Sequence, residues 1–433
     1  MREITITIFI LFGLASNLFG QELTLKEKAI DEFKNEHYKE AIALLEKAVI
    51  ENPNDAEIYY YLGWYNHYLA YDSRPLKGYD FAHSEKIFKY LDKALELNPN
   101  YGDAKYFYGA ECSGNAFQAM QNYDLTKLKY FYKLAFDKGA YPMWLIEFGK
   151  NLLNSCPENS ILFVGGNADF DICSYLQLRQ DFRNDITVIP IGNIDRPWYV
   201  EFLKTGLQGG VSPITLSLTK NQIYDIHPFK WDTTIVSISV PERDIKKYNL
   251  SNNYKLNWQI NPDLTSERQH LKMQGEKAKN RTYLSPQRAI LLQIVEENYS
   301  NRPICFSNFC NPFFYGGLDL YFVNYGLISR LTPIETKESE TPVDYSIIEN
   351  LFVNKNFENY SNINENDIPR ISGLTFLYHR TLYLLAKEYS DKKEDKKLND
   401  LIDFYYKYLQ VGFNKENEKY YKGELEKLKE MKK

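Results

Sequence analysis

The fold class this sequence predicts is an α/β domain on a parallel sheet, flanked by an all-α repeat region before it and a helical hairpin after it. Three observations lead there. Two short apolar runs, Ile161–Val164 and Ile186–Ile191, each end in a polar, glycine-bearing cluster and then enter a helical pattern. The clusters are Gly165-Gly-Asn-Ala-Asp169 and Gly192-Asn-Ile-Asp195. Strand, tight turn and helix, given twice, is the pattern of parallel strands joined by helical crossovers, with ligand sites at the carboxyl ends of the strands. Residues 143–336 are therefore expected to be Rossmann-like. The second observation is a recurring spacing of small and apolar residues before Tyr141, and the third is a pair of helical stripes after Asp344.

Taken in order, residues 1–20 read as a secretion signal. Arg2 gives a positive start, Ile4–Leu14 an apolar stretch, and Ser16–Gly20 a small-residue exit before Gln21. No later run approaches 18 apolar residues. A mature protein beginning near Gln21 in the periplasm is expected, with an uncleaved anchor in the inner membrane as the alternative. No cysteine stands near Gly20, which argues against a lipid anchor.

Residues 21–142 carry the repeats. In Tyr38–Ala48, small Ala41 and Ala48 flank Leu45, and Asn52-Pro53 ends the helix. Leu62-Gly63 opens the next unit, and the pattern returns as Leu91, Ala94, Asn98-Pro99 and Tyr108-Gly109. These positions resemble tetratricopeptide repeats. Ala48 and Ala94 lie 46 positions apart (94 − 48), against about 34 for that repeat, and the excess falls on an expected loop at Tyr71–Phe81. Few repeats are weakly stable alone, so docking on the following domain is expected.

Within 143–336, strands are expected at Ser160–Val164, Asp185–Ile189 and Arg302–Ser307, with a β-rich run at Thr234–Val240. Helices are expected at Asp171–Asp181, from Trp198 to Lys204, and from Pro286 to Glu297, the last capped by Ser285. Residues 208–283 read as loops and edge strands. Lys337–Asp344 is a charged linker. Residues 345–433 are expected to be helical, with one stripe of Leu374, Leu377, Tyr378, Leu382 and Leu385 and another of Leu398, Leu401, Ile402, Tyr405 and Leu409, then a polar helix at Lys415–Lys433.

Composition narrows the partners. The net charge of −5 and pI near 5.9 leave no basic field, which excludes nucleic acid as an expected partner. The aromatic share of 15%, with 36 Tyr and 26 Phe, fits wide inter-helix cores, and an aromatic glycan groove is the alternative. The five cysteines fit no zinc spacing and suggest no disulfide framework. The six histidines show no pair at ligand spacing, and no G-x-S-x-G, Walker A or H-E-x-x-H motif occurs. No cofactor, metal or catalytic residue is expected on these grounds.

Several separated blocks resemble the soluble C-terminal domain of bacterial, multi-spanning, protein-O-mannosyltransferase-like membrane proteins. They are Gly166-Asn-Ala-Asp169, Tyr175-Leu-Gln177, Asp195 with Trp198-Tyr199, Arg302-Pro-Ile304, Gly317-Leu-Asp319 with Tyr321, Gly326-Leu327, Arg330-Leu331 and Pro333-Ile334. The family's Gly-Asp-Asn-Asp turn is altered to Asn167 and Ala168, and the transmembrane body that carries catalysis in such enzymes has no counterpart here. The resemblance therefore implies a fold and an envelope setting without an active site.

The candidate ligand-binding residues are Gly165, Gly166, Asn167, Asp169, Asn193, Asp195, Trp198 and Tyr199. Backbone amides at a helix start receive anions or hydroxyls, the two carboxylates would share one edge of the sheet, and the aromatic pair would stack on a sugar. Asp169 is equally readable as a helix N-cap, and Trp198-Tyr199 as helix packing. The expected role is an exported, non-enzymatic adaptor that binds envelope proteins through the repeats, with a membrane glycosyltransferase or glycan as a further partner. The alternative is a periplasmic carbohydrate-binding protein or carbohydrate-active enzyme working at the carboxyl edge of the sheet.

Overall fold

A computed structural model describes residues 23–70, 81–262, 283–336, 341–353, 357–360, 363, 372–409 and 430. The signal at 1–20, the loop at 71–80, residues 337–340 of the linker and nearly all of the Lys415–Lys433 helix lie outside the described residues. The chain divides into two compact units, residues 1–107 and 108–433.

The first unit is helical: α1 (Leu25–Lys34), α2 (Tyr38–Glu51), α3 (Ala56–Ala70), α4 (Ser84–Leu97) and the start of α5 (Gly102–Gln121). Thr24 begins α1 with a reciprocal cap: its hydroxyl accepts from the Glu27 amide at 3.2 Å, and its own amide donates to the Glu27 carboxylate at 2.8 Å. Ala41, Leu45 and Ala48 on α2 are buried with Ile58, Leu62 and Tyr65 on α3. Phe33 stacks on Tyr65, with ring centroids 3.8 Å apart. The small residues bring the helices close. A Cβ placed on Gly63 would stand 2.6 Å from Leu91 Cδ2 and 2.7 Å from its Cγ, and Leu91 is fully buried.

The second unit continues with α6 (Leu125–Asp137) and α7 (Met143–Asn154), then β1 (Ile161–Val164), α8 (Asn167–Gln180), β2 (Thr187–Pro190) and α9 (Pro197–Thr205). Next come α10 (Lys220–Tyr224), β3 (Phe229–Lys230), β4 (Thr234–Ser239), α11 (Glu242–Tyr248), β5 (Lys255–Ile260) and β6 (Tyr283–Leu284). The segment after β6 forms α12 (Pro286–Asn298), β7 (Ile304–Ser307), β8 (Phe322–Asn324) and β9 (Ile328–Leu331). It ends in α13 (Tyr345–Val353), α14 (Ser372–Asp391) and α15 (Asp395–Phe404). Ser285 caps α12 by accepting from the Arg288 amide, with Pro286 as its first residue.

The expectation of a Rossmann-like parallel-sheet domain is overturned. The main sheet runs β2-β1-β7-β9-β8, parallel only from β2 through β7, while β9 pairs antiparallel with both β7 and β8. Two separate two-stranded pieces, β3 with β6 and β4 with β5, never join it. Helix makes up about 59% of the structure and strand only 11%, so small mixed sheets are set in a helical body. The reason is connection length. Only Tyr325–Leu327 separate β8 from β9, with Gly326 at φ 92°, and a parallel crossover needs a dozen residues or more.

The core of this unit is the sheet itself: every residue of β1, β2, β7 and β9 is buried. Two arginines fasten the amino-terminal ends of the parallel strands. Arg302 donates to the carbonyls of Asn159 and Ser160, each at 2.9 Å, and to the Thr187 hydroxyl at 2.9 Å. Arg183 donates to the Leu153 carbonyl at 2.9 Å and pairs with Asp185 at 2.8 Å. Farther on, Leu377, Tyr378, Leu382 and Leu385 on α14 are buried, as are Leu398, Leu401 and Ile402 on α15. Tyr378 takes a hydrogen bond from the Asn151 amide of α7 at 2.8 Å, tying α14 to the helix before the sheet. No helix among the described residues is long and apolar enough to cross a membrane.

Gly63→Val should destabilise the chain by about 1–3 kcal/mol, because an overpacked core relaxes poorly. Gly192→Ala, where an added Cβ meets nothing within 4 Å, should stay within about 0.5 kcal/mol of the parent. Urea unfolding of the two variants checks the contrast.

Candidate functional site

The turn after β1 forms because Gly165 and Gly166 let the chain leave the strand without side chains, and α8 begins immediately at Asn167. Asp169 is the third residue of that helix and not its N-cap; Gly166 holds the cap position. The carboxylate reaches back along the turn. The Gly165 amide donates to Oδ2 and the Gly166 amide to Oδ1, both at 2.9 Å. The Ser307 hydroxyl at the end of β7 also favours its ionised form. Asp169 is 3% exposed, and burial raises its pKa against the pull of these hydrogen bonds.

The glycine serves a close approach of backbone. A Cβ on Gly165 would lie 2.4 Å from the Phe309 carbonyl oxygen, so the loop after β7 occupies the space beside the turn. The Cys310 thiol, facing the Phe163 carbonyl at 3.4 Å, seats that loop on β1. The amides of Gly165 and Gly166 thus point at Asp169, and protein fills the space beside Gly165, while Gly166 and Ala168 face the open side of the turn.

The other candidates divide. Because β1 and β2 are parallel neighbours, the turns carrying Asp169 and Asp195 do leave the same edge of the sheet. Asn193 closes a short helical turn, Ile191–Asn193, and both Asn193 and Asp195 are half-buried. Asp169 is enclosed, so the two carboxylates do not line one open crevice. Tyr199 is 1% exposed and meets Phe117 of α5 edge-on at 6.2 Å, which leaves no face for a sugar. Trp198 packs on the same Phe117 ring at 6.3 Å. The side chain of Asn167 lies outside the described residues. Gln177, in a block of the resemblance, donates to the carbonyls of Arg183 and Ile186 and fixes the α8–β2 connection.

Two buried centres escaped sequence reasoning. Asp171 accepts from Ser113 Oγ at 2.9 Å and from the Tyr132 hydroxyl at 3.3 Å, and burial pushes its pKa up to about 7. Asp244 on α11 pairs with Arg330 on β9 at 2.6 Å and accepts from the Tyr299 hydroxyl at 3.1 Å. Burial alone would lower the Arg330 pKa, but the Asp244 charge outweighs it and the guanidinium stays protonated. Neither centre announces itself in sequence, since each joins residues 39 or more positions apart. Among the described residues, no group of three His, Cys, Asp or Glu side chains is arranged to hold a metal.

Residues 145–284 match the family described as TMEM260-associated domain 2, a span of 140 of the 433 residues (284 − 145 + 1). The match covers α7 through β6 and includes the Gly165–Asp169 turn and Asp195. It is consistent with a domain of a TMEM260 or protein-O-mannosyltransferase-like family. The blocks at Arg302–Ile304 and Gly317–Ile334 lie beyond it. No curated protein matches the chain.

Asp169→Asn should lose about as much stability as Asp169→Ala, about 1–3 kcal/mol, because an amide nitrogen cannot accept from a turn N–H and leaves it buried without a partner. Chemical unfolding of both variants tests this. For Asp171, a folded pKa above the unfolded one means that the folded state holds the proton more tightly. Its contribution is full below about pH 4 and is lost as pH rises toward 7. Asp171→Asn should therefore gain stability over the parent between pH 4 and 7, each pKa unit being worth about 1.4 kcal/mol. Melting curves across that range read the difference, and parallel curves would contradict it.

Proposed function

We propose that this chain is an exported adaptor of the cell envelope, which holds protein partners through its amino-terminal helical pairs and carries the second unit as a recognition domain linked to protein glycosylation. The observation that carries this reading is the closed turn at Gly165–Asp169. A ligand site at that edge would need the two glycine amides and the carboxylate that already bind each other, and the Phe309 carbonyl fills the space beside Gly165. The carbohydrate alternative loses its best-placed residues there. The link to glycosylation rests on the match over 145–284 and on the resemblance of the later blocks.

The first unit supplies a surface suited to a protein partner. Tyr68 and Tyr106 are 47% and 39% exposed, and Leu69 and Ile50 are also open. Tyr and Phe rings bring large apolar area at small cost in side-chain entropy, which suits them to protein contacts. Lys26, bridging Asp55 and Glu57 at 2.9 and 2.6 Å, adds a charged point on the same helical pairs.

A photo-crosslinking residue placed at Tyr68 or Tyr106 in the secreted chain should give a discrete adduct with an envelope protein. The same residue at Ile235, exposed on β4 of the second unit, should not give that adduct. Absence of a discrete adduct at both tyrosines, or the same adduct from Ile235, would contradict the reading, as would retention of the chain in the cytoplasm.

A further inference from the structure

The second unit holds a cavity of about 460 Å³ away from the closed turn. It lies beside Ser155–Pro157, on the approach to the amino-terminal end of β1, and is walled by the end of α7, by α11, by the β8–β9 turn and by α13. Small-molecule sites commonly enclose about 300–1,000 Å³, so the volume suits a ligand the size of one sugar.

Its chemistry is specific. The lining residues include Asn151, Asn154 and Asn350, Tyr325, Lys247 and Arg330. Amides and hydroxyls both donate and accept, the pairing that sugar hydroxyls require. The charges do not balance. Lys247, Arg330 and Asp344 line the cavity, and Arg243 and Asp244 lie behind Arg330, so three cations gather here against two acids. Asp244, 1% exposed, is spent on Arg330 and Tyr299. Asp344 is spent at the start of α13, where it accepts from Ser346 Oγ at 2.6 Å and from the Ile347 amide at 3.4 Å.

Arg330 keeps capacity for a ligand. Its side chain is 10% exposed; Nη2 gives one hydrogen bond to Asp244 and Nη1 one to Tyr325, so each terminal nitrogen has a second N–H to offer, while Nε is sealed from solvent and finds no partner among the described residues. Arg243 Nε is likewise buried without one. A buried or half-buried guanidinium is costly to leave short of partners, and an anion in the cavity would offset the surplus positive charge.

From this geometry we propose that the cavity binds a small polyhydroxylated anion, a phosphorylated or carboxylated sugar, with Lys247 and Arg330 on the anionic group and the asparagines on the hydroxyls. The site is independent of the adaptor reading and of the Gly165–Asp169 edge.

Calorimetric titration of the full chain with glucose 6-phosphate, glucuronate, glucose and inorganic phosphate tests it. At least one of the two sugar anions should bind saturably at one site, and glucose and inorganic phosphate should each be at least tenfold weaker. The two anions separate the phosphorylated source from the carboxylated one. Lys247→Ala and Asn350→Asp, both at exposed positions, should each weaken the sugar anion about tenfold with unchanged melting temperature. No saturable binding of either sugar anion would overturn the proposal. So would glucose or inorganic phosphate binding as tightly as the sugar anions, or affinity untouched by both variants.

Discussion

The second unit depends on how one carboxylate closes one turn. Asp169 binds the amides of Gly165 and Gly166 and so ties the end of β1 to the start of α8, with the Ser307 hydroxyl of β7 favouring its charge. Each of these polar groups would be costly to bury alone. Together they satisfy one another, and the absence of a Cβ at Gly165 lets the Phe309 carbonyl settle against the turn. The residues that would make a ligand site in an open α/β sheet are here the residues that hold the sheet shut.

The same logic recurs at the other end of the strands. Arg302 and Arg183 each spread one guanidinium over several backbone carbonyls, which suits the fixed fork of arginine better than the point charge of lysine. The Asp244–Arg330 pair then links α11 to β9, and Tyr299 of the α12 terminus completes it. Buried polar groups therefore organise the mixed sheet along with its apolar strands. Where those groups leave charge over, beside Arg330, lies a cavity of about 460 Å³.

Local pattern was legible in the sequence and long-range pairing was not. Two apolar runs near 161 and 187 are neighbouring buried strands, and Ser285-Pro286 marks a helix start, because each signal is written within a few residues. The antiparallel strands β8 and β9 were not foreseen. Their mutual direction depends on the three-residue turn around Gly326, and the apolar content of Ile328–Leu331 would be equally at home in a parallel strand. Between Leu207 and Leu284 the β-rich run at Thr234–Val240 is β4, but β3, β5 and β6 were opaque, because these strands pair outside the main sheet and β3 and β6 have two residues each. At the candidate site, Asp169 was readable as a capping residue, but its place at the third helical position depends on where the chain turns. Asp244 with Arg330 joins positions 86 residues apart, and no spacing rule reaches that far.

Amide hydrogen exchange at Gly165 and Gly166 tests the central claim most directly. If Asp169 holds both amides, their protons should exchange far more slowly than those of an unbonded turn, with half-buried Gly165 the better protected, and should be unmoved by added sugars or sugar phosphates. Rapid exchange at these two glycines, or protection that appears only when a sugar is added, would contradict the account and reopen the edge of the sheet as a binding site.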